Sequence, residues 1–188
     1  LKTIVVSNIE TIGRFDETTF SYPINKDQSL EQLAYFNQNL LVHFGDYQDA
    51  LHTEEVYLFH SRLSFAMNLK LISPKEIIDA VLDHYRLNSD EISISQVEGF
   101  IRQVIGWREY MRGMYWAQMP QYKALNTLDN HNPIPEFFWT GDTKMNCLNK
   151  TINNSLDNAY AHHIQRLMIT GNYLLLTQTH PDAVDEWY

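Results

Sequence analysis

From Ser29 onward the apolar residues fall at helical spacing. Leu30, Leu33, Phe36, Leu40 and Leu41 repeat at intervals of three and four, which puts them on one buried helix face. Gly45 is the predicted stop of that helix. A second helix is predicted over 53–68. The third has an explicit start: Ser73-Pro74-Lys75-Glu76 reads as a capping box with proline at the first helical position. Ser95 and Glu98 repeat that signature before a long helix through Phe100, Val104, Trp107, Met111 and Trp116. Residues 120–143 are looser and hold three of the six prolines, which breaks any helical run there. A final long helix is predicted over 149–176 and a short one over 182–188. Residues 1–28 read as an interdomain connector, with one apolar run at 4–6 and then polar, turn-rich sequence through Tyr22-Pro23-Ile24. No pair of alternating strands, no repeat and no low-complexity tract interrupts this pattern. The predicted class is all-α, a helical bundle over 29–188.

Composition narrows the picture. At 188 residues, 44% hydrophobic and 20% charged, the chain has the make-up of one globular domain. Aromatics reach 13%, with four Trp and eleven Tyr, which calls either for a ring-packed core or for stacking on a ligand or a base. No apolar run approaches the roughly 20 residues that span a bilayer, and no signal-peptide pattern opens the chain. The single cysteine, Cys147, excludes an internal disulfide framework and fits a reducing, cytoplasmic setting, in which the sequons at Asn149 and Asn153 are accidental. A formal net charge of −9 has the wrong sign for nonspecific nucleic-acid binding, although a local basic groove is compatible with an acidic whole.

Three segments carry more chemistry than a generic bundle needs. His60-Ser61-Arg62-Leu63-Ser64, followed by Ile72-Ser73-Pro74, sets hydroxyls beside helix starts. Free N–H groups there favour an anion, and helix capping is the competing reading. Ile101 to Arg112 mixes Trp107, Arg108, Glu109, Tyr110 and Arg112 on one helix, either a stacking plane among charges or a surface helix with weak ion pairs. Ala159-Tyr160-Ala161-His162-His163-Ile164-Gln165-Arg166 places adjacent histidines about 100° apart on a helix, so that one faces a site while the other orients it.

Taken together and in this order, the three segments resemble the photolyase/cryptochrome family. Ser-Arg-Leu-Ser with the following Ser-Pro resembles the family's flavin diphosphate loop. Gly106-Trp107-Arg108-Glu109-Tyr110 resembles the helix that borders flavin and damaged DNA. The forms Ile-Gly-Trp-Arg-Glu-Tyr-Met-Arg and Ala-Tyr-Ala-His-His-Ile-Gln-Arg-Leu-Met are most similar to the bacterial iron–sulfur (6-4) photolyases and related cryptochromes. The resemblance runs from about Ser29 to the end of the chain.

It implies FAD as cofactor, with Tyr47, Ser61, Leu63, Ser64 and Arg108 as contacts and Arg166 near the flavin ring. It implies Trp107, Glu109 and Tyr110 at the lesion, and His162 and His163 as the active-site pair. In animal (6-4) enzymes a second functional histidine lies four residues further on, where this chain has Leu167. Trp139, Trp187 and Tyr188 match electron-transfer residues. Cys147 matches one of four ligands of a [4Fe–4S] cluster, the other three being expected beyond Tyr188. With one thiolate here, Cys147 is expected as a small buried side chain. An antenna chromophore is expected in an α/β domain ahead of Leu1. The opening without Met fits an excised segment, inactive alone, whose uncovered apolar faces favour self-association. The implied function is light-driven repair of UV-damaged DNA, most closely of (6-4) photoproducts. The alternatives are a blue-light photoreceptor on the same scaffold and a non-enzymatic helical interaction module.

Overall fold

The computed structural model describes residues 12–14, 18 and 20–188. The apolar run at 4–6 lies outside the described residues. Those residues are helical, with no strand; Asn132 and Thr179 form one isolated parallel bridge. The chain divides into two compact units. One is Ser21–Ala124; the other is Leu125–Tyr188 with the described residues before Ser21.

In the first unit α1 (Lys26–Tyr35) runs through a π-helical turn, Phe36–Leu40, into α2 (Leu41–Tyr47). The start lies upstream of the predicted Ser29, because Asn25 is the cap: its side chain accepts from Gln28 N at 2.9 Å. Ser29 is buried inside α1 and returns its hydroxyl to the carbonyl of Asn25, four residues back. Gly45 does not end the helix. It lies within α2, where Gln96 Oε1 accepts from its N–H and a Cβ would stand 2.6 Å from that oxygen.

The predicted helix over 53–68 shrinks to α3 (Ser64–Asn68). Leu58 and Arg62 take left-handed torsions, φ 42° and 57°, and these interrupt a right-handed helix. α4 (Pro74–Leu87) starts as the sequence predicts. Ser73 Oγ accepts from Glu76 N, and Ser73 N donates to Glu76 Oε2 at 2.9 Å. The Glu76 carboxyl is held down to about 2, first by the Lys26 ammonium at 2.6 Å and then by the Ser73 donors.

The long helix α5 (Ile94–Gln118) is capped by Ser93 without a side-chain bond, so the predicted Ser95–Glu98 box is absent. Glu98 instead pairs with Arg102 at 2.8 Å. The core gathers Leu33, Phe36, Leu41, Phe44, Ile77, Val81, Phe100 and Val104. Phe36, Phe44 and Phe100 pack ring on ring, with centroids 4.6–5.9 Å apart. Only the first half of α5 enters this core; beyond Val104 its apolar side chains are largely exposed.

In the second unit, α6 (Phe137–Thr140) sits within the predicted loose stretch and ends at Gly141, φ 75°. The single predicted helix over 149–176 is broken. α7 (Asn146–Asn158) stops where Ala159 turns left-handed, φ 47°. Asn154 Nδ2 fastens the turn by donating to the carbonyl of Tyr160 at 3.1 Å and to Gln165 Oε1 at 3.0 Å. The chain is helical again from 163, through a π-helical stretch, Gln165–Gly171, into α8 (Asn172–Leu176). α9 (Pro181–Trp187) follows, with His180 as its cap. Phe138, Leu148, Ile152, Leu156, Leu174 and Trp187 form this unit's core.

Candidate functional site

Within Ser21–Ala124 the sequence-predicted flavin residues come from three neighbouring pieces. Tyr47 ends α2, and its ring lies 5.1 Å from that of Phe59, at the start of the segment leading to Ser61. The His60 ring ties the same segment to α2, with Nε2 2.8 Å from the carbonyl of Gln48 and Nδ1 3.0 Å from that of Tyr57. Ser61 is half-buried. Its carbonyl accepts from Gln32 Nε2 at 2.7 Å and its hydroxyl accepts from Leu63 N at 3.4 Å. Leu63 is fully buried and anchors the loop in the core, while Ser64 opens α3 as an exposed residue. Arg108, half-buried on α5, reaches Met67 Sδ of α3 at 4.0 Å. Ser73 is not part of a free donor set, since its hydroxyl is used in the capping box.

Arg62 has a structural task that the sequence did not reveal. Its guanidinium lies 3.9 Å over Tyr57 and 4.9 Å from Tyr22, and Nη2 donates to Ser21 Oγ at 2.7 Å. Burial first, and then the neighbouring Tyr57, push the Tyr22 phenol above its ordinary value.

Further along α5, Trp107 and Tyr110 stand edge to face at 6.3 Å, and both are exposed. Trp107 Nε1 donates to Gln103 Oε1 at 3.0 Å, one helical turn back. Glu109 faces Arg112 at 3.7 Å on the open surface, an ion pair of about 0–1 kcal/mol.

In the Leu125–Tyr188 unit the two histidines do not share a helix. His162 precedes it, buried, and its Nδ1 accepts from Ile164 N at 3.0 Å, so the ring caps the helix start. His163 is exposed on the first turn. The Arg166 guanidinium lies 4.1 Å over the Tyr188 ring, and the Tyr188 hydroxyl meets Thr170 Oγ1. Trp187 is buried against Phe138, and its Nε1 donates to the Phe138 carbonyl at 2.9 Å. Trp139 is 39% exposed on α6. Cys147 is exposed rather than buried, because the apolar face of α7 is formed by Leu148, Ile152 and Leu156. Among the described residues no group of three or more His, Cys, Asp or Glu is placed to hold a metal ion.

The chain is 44% identical over 169 residues to a (6-4) photolyase of Agrobacterium fabrum, a match that takes in 90% of this chain and 33% of that protein. The chain belongs to the photolyase family. It spans about a third of that photolyase's length. A second relative, the uncharacterized protein R853 of Acanthamoeba polyphaga mimivirus, is 38% identical over 97 residues, 52% of this chain and 73% of that protein. No family model matches. No described helix of this photolyase-family chain is long and apolar enough to cross a membrane.

Proposed function

We propose that this chain is the flavin-binding, lesion-facing helical region of a light-driven DNA repair lyase acting on (6-4) photoproducts. The observation that carries the reading is the 44% identity over 90% of the chain to a protein that is itself a (6-4) photolyase. The donor set on Ser21–Ala124 fits the cofactor. Ser61 and Ser64 offer hydroxyls, Arg108 a guanidinium for a diphosphate, and Tyr47 a ring for a planar group, while buried Leu63 holds the loop in place. FAD, when bound, supplies the one-electron chemistry that light drives.

The chain's own residues would bind and orient. Trp107 and Tyr110 expose ring faces on which a nucleobase extruded from the duplex can stack, and the damage itself lowers the unstacking cost. Glu109 lies beside them. Exposed His163 is the proposed general acid toward the lesion, and His162, fixed by its bond from Ile164 N, sets the turn that presents it. Arg166 would lie near the flavin, and Trp139, Trp187 and Tyr188 are the proposed electron-transfer side chains. An iron–sulfur cluster is not supported by this chain alone: a cluster needs four thiolates, and Cys147 is one.

The test is repair of a synthetic (6-4) duplex by the flavin-loaded full-length protein under blue light. Repair that falls at least about a hundredfold in His163→Ala with flavin retained is the expected result for a general acid. Undiminished repair in that variant would remove His163 from the mechanism. Flavin photoreduction without any repair by the unaltered protein would point to light sensing instead.

A further inference from the structure

Thr170 is fully buried, in the π-helical stretch Gln165–Gly171. The wider π turn is built on Gly171, where a Cβ would stand 2.7 Å from the carbonyl oxygen of Arg166. The turn brings the Thr170 hydroxyl within reach of two backbone carbonyls, Arg166 at 3.2 Å and Gln165 at 3.3 Å, and of the Tyr188 hydroxyl. A hydroxyl has one proton and two lone pairs. With the proton given to a carbonyl, Thr170 presents a lone pair to Tyr188, so the phenol donates. Tyr188 is thereby fixed edge to face with Trp187, ring centroids 4.7 Å apart, and with the Arg166 guanidinium on its ring.

The two rings differ in how they would carry a positive charge. Trp187 donates its N–H to the Phe138 carbonyl, a partner that favours a cationic indole. Tyr188 has a cation 4.1 Å above its face, which opposes positive charge on the phenol. Burial also keeps that phenol above its ordinary value, so it is protonated at neutral pH.

We propose that Thr170 is the positioning residue of Tyr188: by taking the phenolic hydrogen bond it holds the ring edge to face with Trp187, in a fixed geometry for electron transfer. One electron passes from Tyr188 to the Trp187 radical cation; the Thr170 hydroxyl is too weak a base to keep the phenolic proton, which is released to water, and neutral indole and a neutral phenoxyl radical remain. This rests on the electron-transfer reading of Trp187 and Tyr188, in which the oxidant of Trp187 is a photoexcited flavin. The arrangement itself is testable without flavin.

Cys147 is the chain's single cysteine, exposed and adjacent to Leu148, which packs in the same core as Trp187. A ruthenium polypyridyl photo-oxidant attached to its thiol, flashed with a sacrificial acceptor, supplies a one-electron oxidant at a defined place. The phenoxyl radical is read by electron paramagnetic resonance, with the Tyr188→Phe chain as the blank. The expected result is a Tyr188 signal that falls about fivefold in Thr170→Val, the factor represented by one ordinary hydrogen bond, and returns in Thr170→Ser. Equal signals in wild type and Thr170→Val would overturn the proposal, as would a signal that Tyr188→Phe leaves unchanged. Thr170→Ala, which removes the same hydroxyl, keeps the outcome readable should the valine variant fold poorly. A drop in the ruthenium experiment, with unaltered flavin photoreduction in full-length Thr170→Val, would uphold the positioning role and refute the electron-transfer reading instead.

Discussion

Gly45 has no side chain because Gln96 occupies the space one would need. The Gln96 amide accepts from Gly45 N–H and donates to Asp46 Oδ2 at 3.0 Å, stitching the end of α2 to the first turn of α5. In an ordinary helix, Gly→Ala stabilises by about 1 kcal/mol. Here the added methyl would meet Gln96 Oε1 at 2.6 Å and push that amide out of both bonds. Gly45→Ala is therefore expected to destabilise the protein by about 1–3 kcal/mol, read from the denaturant midpoint. Glu76 makes a second prediction at this scale. Its folded value of about 2 lies below the ordinary 4.5, so its contribution is present above 4.5 and is lost as pH falls through about 2. The loss of stability over that interval should be smaller in Glu76→Gln than in wild type. An identical loss in both would show that the Lys26–Glu76–Ser73 arrangement does not contribute. Because the pair is open to water, the effect should also shrink with added salt.

At the scale of elements, α5 has two characters. Val97, Phe100 and Val104 enter the core, whereas Trp107, Met111 and Trp116 are 54%, 61% and 77% exposed. Amide hydrogen exchange should accordingly be slower over 94–104 than over 105–118. Uniform protection along the helix would contradict that division. Phe36, fully buried among Phe44 and Phe100, should cost about 3–5 kcal/mol when truncated to alanine. Much of this architecture was legible in the chain. The spacing of Leu33, Phe36 and Leu41 marked the buried face of α1–α2, although Leu30 of the same predicted series is exposed and Leu40 half-buried, and Ser73-Pro74-Lys75-Glu76 marked the start of α4 to the residue. The helix predicted over 53–68 failed because His60 and Arg62 are held by partners distant in sequence, Gln48 and Ser21. The break at Ala159 was hidden for a similar reason. Alanine is a strong helix former, and the turn is fixed by the Asn154 side chain rather than by any breaker residue. Ring and hydroxyl partners such as Thr170 with Tyr188 left no trace in periodicity, since a threonine inside a helical run signals nothing by itself.

At the scale of the molecule, the acidic balance of −9 spoke against a DNA contact and the motif order spoke for one. The family membership bears out the resemblance that the motifs carried, and the DNA contact stays part of the proposed function. The candidate site residues were named from that resemblance. What the fold adds is which of them meet: Tyr47, Ser61, Leu63, Ser64 and Arg108 on pieces tied together by His60, Phe59 and Met67, and Trp187 with Tyr188, Arg166 and Thr170 in the other unit. The proposed function, whether repair or light sensing, requires flavin to be held by the first of these groups. The most direct measurement is therefore the flavin content of the full-length protein, by absorption spectrum after equilibration with FAD, in wild type and in Arg108→Ala. Bound flavin is expected in wild type, with affinity weakened at least about tenfold in the variant, as loss of a charge-assisted hydrogen bond to a diphosphate implies. A folded full-length protein that takes up no FAD, or an Arg108→Ala variant that binds it as tightly as wild type, would contradict the proposed flavin site.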